Sequence, residues 1–173
     1  ICFLLMFSTC LFSQGGTQKN PQVIQQTNTN ETYKAHADGW MVDINKAYEV
    51  SSKTGKPIMA TFTGSDWCGW CKKLKYEVFD KKEFKIWADK NVVLIELDFP
   101  RRFQIPQKYK EQNQGLAQFF KVTAYPTIWV FNLSQNDKGF TIDALGKTGY
   151  VKGVSAFTSG VDGMIKQYND REK

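Results

Sequence analysis

The run Gly64-Ser65-Asp66-Trp67-Cys68-Gly69-Trp70-Cys71-Lys72-Lys73-Leu74 constrains this chain more than any other feature. It follows a short β-rich stretch, Ile58 to Thr63 (IMATFT), and opens a pattern in which Leu74, Val78 and Phe79 recur at helical spacing. Two cysteines therefore stand where a strand hands over to a helix. A cysteine at a helix N-terminus meets unpaired N–H groups and the positive end of the dipole, which favour thiolate over thiol and lower the pKa from about 8.5 toward about 7. Cys68 is the expected nucleophile. Cys71 sits one helical turn deeper, where it can attack a mixed disulfide formed by Cys68 and release the reduced partner. A bare pair at this spacing also suits a structural pair or half of a zinc site. Zinc needs four ligands, however, and beyond the N-terminal segment only His36 and carboxylates are on offer. Haem attachment would need His at the position of Lys72. The expectation is a redox pair with no metal and no bound cofactor.

The N-terminus supplies the compartment. Residues 1–12, ICFLLMFSTCLF, hold ten apolar side chains and no charge, followed by Ser13, Gln14 and Gly15. A membrane-spanning helix needs about 20 apolar residues, so the reading is a secretory h-region with small residues at −3 and −1 of a cleavage site, giving a signal peptide at 1–15. A buried N-terminal strand or helix is the alternative, and lipid attachment at Cys10 is a second processing route, although Phe7-Ser8-Thr9 lacks the Leu expected at −3. With Cys2 and Cys10 removed, four cysteines become two. In an oxidising compartment a lone pair two residues apart closes too short a loop for stapling, which leaves redox chemistry in the lead.

Residues 16–39 are rich in Gln, Asn and Thr and read as a flexible linker; His36 falls in it and is expected to be inert. The remaining 40–173 suit one domain. Asp43 is a plausible N-cap for a helix over 43–53, stopped by Gly55 and Pro57. Strands are expected at 58–63, 92–99 (VVLIELDF) and 127–132 (TIWVFN). A turn over 136–139 leads to a hairpin partner at 141–145. Helices are expected between the first two strands, over 107–120 and over 154–169, the last with Val154, Phe157, Val161, Met164, Ile165 and Tyr168 on one side. The charge of +6 is spread along the chain from Lys34 to Lys173, a solvated surface and not a nucleic-acid footprint.

Over roughly residues 40–170 the chain resembles the thioredoxin superfamily. Trp67-Cys68-Gly69-x-Cys71-Lys72 after a strand is similar to that family's active-site run, and Ala124-Tyr125-Pro126-Thr127, about 55 residues on, is similar to its cis-proline loop. The resemblance implies an α/β thioredoxin fold: a central mixed β-sheet flanked by helices, here with an N-terminal helical extension. It also implies that Cys68 and Cys71 form a redox-active disulfide and that Pro126 is cis beside it. Trp67, Gly69, Trp70, Tyr125 and Pro126 would then meet the substrate, and Gly146 or Gly149 would match a glycine near the same surface. Trp40, Trp87 and Trp129 are expected to pack in the core.

Three departures stand out. Trp70 replaces the proline between the cysteines of cytoplasmic thioredoxins. Thr61 or Phe62 stands where they bury an acid, and Leu94 or Ile95 where they bury a lysine. Cys71 thus lacks the usual proton-transfer group, for which Glu96 or a water is the substitute at hand. An extra stretch, Phe99 to Gln112, carries Arg101, Arg102, Lys108 and Lys110 and reads as a solvated insertion, with a partner-binding rim as the alternative. The resemblance is to exported, periplasmic or envelope proteins, and implies a monomeric thiol–disulfide oxidoreductase that reduces or isomerises disulfides of exported proteins. An upstream thiol electron donor, in the membrane on one reading, would recharge it. The competing reading is a peptide-binding module whose disulfide is only structural.

Overall fold

The computed structural model of the protein describes residues 33–137 and 139–171. The expected signal at 1–15, Cys2, Cys10 and the linker as far as residue 32 lie outside the described residues.

Helix α1 (Ile44–Thr54) begins where Asp43 accepts from the Asn45 N–H at 3.0 Å and ends where Gly55, left-handed at φ 69°, donates to Ser51. Such a cap contributes about 1 kcal/mol. Strand β1 (Ile58–Thr63) is buried along its whole length because it has neighbours on both edges. It pairs in parallel with β2 (Val93–Asp98) and antiparallel with β3 (Thr127–Asn136), which in turn pairs antiparallel with β4 (Gly139–Thr148). The sheet order is β2-β1-β3-β4, mixed as expected, and Met41 adds one further parallel bridge to Ile95. The hairpin runs past the expected 127–132 and 141–145. Its outer half is Ser134, Gln135 and Asn136, whose polar side chains stay exposed while their backbones extend the ladder. Composition reads turn there, whereas main-chain pairing decides strand.

Between β1 and β2 the sequence suggests one helix and the structure has two. Helix α2 (Gly69–Leu74) continues into a π-helical turn (Lys75–Phe79), and α3 (Lys82–Asn91) starts afresh. Phe79 and Phe84 would stand about 140° apart on a continuous helix. The break lets both rings face one core, 5.0 Å from each other and 4.8 and 6.4 Å from Trp40. Helix α4 (Gln107–Phe119) follows Pro106, and α5 (Val154–Arg171) closes the fold.

The sheet has a core on each face, set by strand alternation. Met59, Ile128 and Val130 pack with Leu74, Phe84, Phe157 and Val161, with the expected stripe of α5 around them. Ile58, Ala60 and Phe62 pack with Ile95, Leu97, Phe120 and Phe131 under α1. Trp40 is buried in the first, Trp87 packs on its rim, and Trp129 stacks on Phe120 at 4.8 Å in the second. Ala35 and Ala37, from the end of the expected linker, also pack in the first core.

Candidate active site

The β1–α2 connection is built around close approach to Gly64. A Cβ there would lie 2.3 Å from the Trp67 ring, so only glycine lets that indole fold back over the strand end. The Cys68 N–H donates to the Gly64 carbonyl at 2.8 Å, and Cys68 caps α2. Cys68 and Cys71 form a disulfide with Cα atoms 5.3 Å apart. The Cys71 N–H donates to the Cys68 Sγ at 3.2 Å, an arrangement that stabilises negative charge on that sulfur once the bond is reduced. The two residues are 5% and 6% exposed.

Cys71 backs onto a cavity of about 160 Å³ that it shares with His36, Thr61, Glu96 and Pro126. That volume is ample for water. Thr61 on β1 pairs across the sheet with Glu96 on β2. The residue opposite the missing acid is therefore another acid, and neither Leu94 nor Ile95 takes that place. Glu96 is 4% exposed. Burial pushes its carboxyl up, the adjacent Asp98 adds to the rise, and the His36 backbone N–H and ring pull it part of the way back.

His36 is not the inert residue its polar surroundings in sequence suggested. Its backbone N–H donates to Glu96 Oε1 at 2.8 Å, and its Nδ1 lies 3.2 Å from the same oxygen and 3.6 Å from Asp98. Nothing local marks it, because Ala35, Ala37 and the Tyr33 ring against Tyr109 hold the segment down through contacts distant in sequence. Asp98 takes both Ser65 donors, backbone and hydroxyl, at 2.8 and 2.6 Å. His36, Glu96 and Asp98 bring ligand-type atoms within 4.8 Å of one another. Those atoms are engaged in the hydrogen bonds just given, and we assign them no metal.

The mouth of the site is formed by Trp67, Gly69, Trp70 and Tyr125, with Pro126 bordering both it and the cavity. The Tyr125–Pro126 peptide is cis, and Pro126 is buried beside Cys71. A Cβ on Gly149 would lie 3.5 Å from the Pro126 carbonyl, whereas one on Gly146 would strike Met164 of α5 at 2.8 Å. Gly149 is thus the glycine at the site. The Trp67 ring meets Tyr125 edge-on at 5.6 Å and donates its Nε1–H to the Phe99 carbonyl at 2.8 Å. Trp70, 57% exposed, leans on Tyr150 at 5.0 Å. Gly69 is exposed between the cysteines.

The extra stretch is attached to the site. Asp66 accepts from the backbone N–H groups of Arg101 and Arg102. Desolvation works against its charge, but those amides outweigh it and hold the carboxyl below the usual range. The Arg101 guanidinium lies 3.8 Å over the Trp67 ring. No spacing rule in the sequence announces that stack.

A disulfide at the mouth of a strand-to-helix turn, beside a cis-proline on a mixed sheet, defines a thioredoxin-type site. The chain matches the thioredoxin-like domain family over residues 44–152 and belongs to it; it is a thioredoxin-like thiol–disulfide oxidoreductase. Among its relatives is the disulfide bond reductase DsbH of Chlamydia pneumoniae, 32% identical over 131 residues that cover 73% of this chain and 72% of that protein. A solved DsbH oxidoreductase structure superposes with a TM-score of 0.63 at 30% identity, covering 80% of this chain and 93% of the other. A thioredoxin from Thermus thermophilus shares the fold with a TM-score of 0.51 at 14% identity, over 70% of this chain and 82% of its own. No helix among the described residues is long and apolar enough to cross a membrane.

Proposed function

We propose that the protein is an exported reductase or isomerase of protein disulfides, with Cys68 as the attacking and Cys71 as the resolving thiol. The observation that carries this reading is the unequal setting of the two sulfurs: an N–H aimed at Cys68 in the mouth, and a cavity with a buried carboxylate behind Cys71.

In the forward direction the Cys68 thiolate attacks a partner disulfide. One Cys68–partner S–S bond forms, and the partner's other sulfur leaves as a thiolate and takes up a proton. Cys71 then gives its proton to Glu96, directly or through water in the cavity, and attacks the Cys68 sulfur. The Cys68–Cys71 disulfide forms and the partner departs with both sulfurs reduced. The two electrons gained by the partner are those lost by the protein's dithiol, which an upstream thiol donor must restore. Trp67, Gly69, Trp70, Tyr125 and Pro126 form the surface on which the partner segment lies. The name of the Chlamydia relative, a reductase, supports the direction, and the apolar run at 1–12 supports export.

Reduction of insulin by dithiothreitol, with and without the protein, is the direct test. Accelerated precipitation of the insulin B chain is the expected result. No acceleration, with the Cys68–Cys71 disulfide intact throughout, would leave the peptide-binding module as the better reading. Equilibration with glutathione then gives direction: a potential near about −200 to −270 mV fits a reductase or isomerase, and one near about −120 mV an oxidant.

A further inference from the structure

Two aromatic rings border the disulfide mouth, Trp67 and Trp70, and each carries a cation. Over Trp67 lies Arg101, at 3.8 Å. Beside Trp70 lies Lys73, whose Nζ is 5.2 Å from that ring and 5.5 Å from Tyr150. The two cations differ in what neutralises them. Lys73 faces Glu77 at 4.0 Å, one helical turn along, and Glu77 also accepts from the Tyr150 hydroxyl. Arg101 has no carboxylate on its guanidinium among the described residues. Its carboxylate neighbour, Asp66, is taken by the backbone N–H groups of Arg101 and Arg102. Lys72, also at the mouth, donates to the Asp66 backbone carbonyl at 2.9 Å.

Arg101 is also held in place before any partner arrives. Asp66 fixes its backbone, the Phe99 carbonyl fixes the indole beneath it, and Tyr125, edge-on to that indole, carries the chain into Pro126. The field of Arg101 reaches Tyr125, whose hydroxyl burial pushes up and the guanidinium draws back down. A guanidinium seated 3.8 Å over an indole, with no carboxylate on it among the described residues, can offer its N–H groups to an incoming carboxylate, and the fold has already met the ordering cost of the long side chain.

Resting on the oxidoreductase reading, we infer that this mouth selects disulfides flanked by acidic side chains, and that Arg101 is the specificity-determining residue. The partner is an extended segment carrying Asp or Glu beside its cystine, laid along Tyr125–Pro126 with that carboxylate on the Arg101 fork. Four cations, Arg101, Arg102, Lys72 and Lys73, face two carboxylates, Asp66 and Glu77, around the opening. The excess draws an acidic segment in and turns a basic one away.

The test compares three disulfides with dithiothreitol as reductant: a short peptide cystine flanked by Glu, the same peptide flanked by Lys, and neutral bis(2-hydroxyethyl) disulfide. At low salt kcat/KM for the Glu peptide should exceed that for the Lys peptide by about tenfold or more, and the ratio should shrink as salt is raised toward about 0.5 M. Arg101→Gln should bring the ratio to about twofold or less, Arg101→Lys should restore only part of it because the charge returns without the fork, and Lys73→Gln, which takes one charge from the same excess but no fork, should lower it less than Arg101→Gln does. A role for Arg101 in merely propping Trp67 would slow both peptides alike. A wild-type ratio near one, or a ratio that survives Arg101→Gln, overturns the inference while turnover of the neutral disulfide keeps the oxidoreductase reading. Absence of turnover on all three substrates sinks both.

Discussion

Cys68 and Cys71 are almost equally buried, yet they face two different solvents. In front of Cys68 are Trp67, Trp70, Tyr125 and a ring of cations open to water. Behind Cys71 is a partly open cavity with Thr61, Glu96 and His36 on its walls. The same side chain is thereby given two roles: the front recognises and is attacked, the back handles protons. The helix turn that separates them is what lets one element serve both sides.

The largest effect should come from deleting each sulfur in turn. Cys71→Ser should accumulate mixed disulfides on Cys68, visible as reducible high-mass bands in non-reducing gels, whereas Cys68→Ser should trap few or none. A reversed pattern would interchange front and back.

Next comes the acid behind Cys71. With the pKa of Glu96 raised, the carboxylate able to accept a proton becomes more abundant as pH climbs through that value. Glu96→Gln should slow release of the second thionitrobenzoate from a Cys68 mixed disulfide by about 100-fold, the lower end of the usual range for general base catalysis, and erase that limb of its pH profile. The first, Cys68-dependent release should keep its rate. Stability runs the opposite way. A carboxyl raised on folding stabilises fully below its ordinary value of 4.5, and that contribution is lost as pH rises through the folded value. Denaturant midpoints of the wild type should therefore fall as pH rises above 4.5, and Glu96→Gln should lose that fall.

On the front, Gly64→Ala should displace the Trp67 ring, since the new methyl would stand 2.3 Å from it. A cost of about 1–3 kcal/mol is expected for such overpacking, read from thermal or denaturant unfolding, with Trp67 fluorescence shifted. An unchanged spectrum would mean that the indole is not seated on the glycine. Trp70→Ala should be the mildest: exposed as it is, its loss should move stability by no more than about 0.5 kcal/mol while raising KM for peptide disulfides above that for a small neutral one.

The front was far easier to read from sequence than the back. Trp67, Cys68, Cys71, Tyr125 and Pro126 belong to two contiguous runs, and the strands that position them have local signals: β1 (IMATFT) and the start of β3 (TIWVFN) are both rich in β-branched and aromatic residues. The back is assembled from residues with no such signal. Glu96 follows the apolar run Val93 to Ile95 in its strand, and only the sheet register brings it opposite Thr61. His36 lies in a polar stretch whose packing depends on Tyr109 and the first core. The helix break at Asp80 was hidden for a related reason, since Phe79 and Phe84 each fit a helical pattern and only their common core forbids a single helix.

The unequal setting of the two sulfurs can be measured without any partner protein. The fully reduced protein, pulsed with iodoacetamide at pH 7 and read by mass spectrometry at each cysteine, should show Cys68 alkylated at least about tenfold faster than Cys71, because the N–H aimed at the Cys68 sulfur raises its thiolate fraction. Equal rates, or Cys71 modified first, would contradict the division of labour from which the mechanism is built.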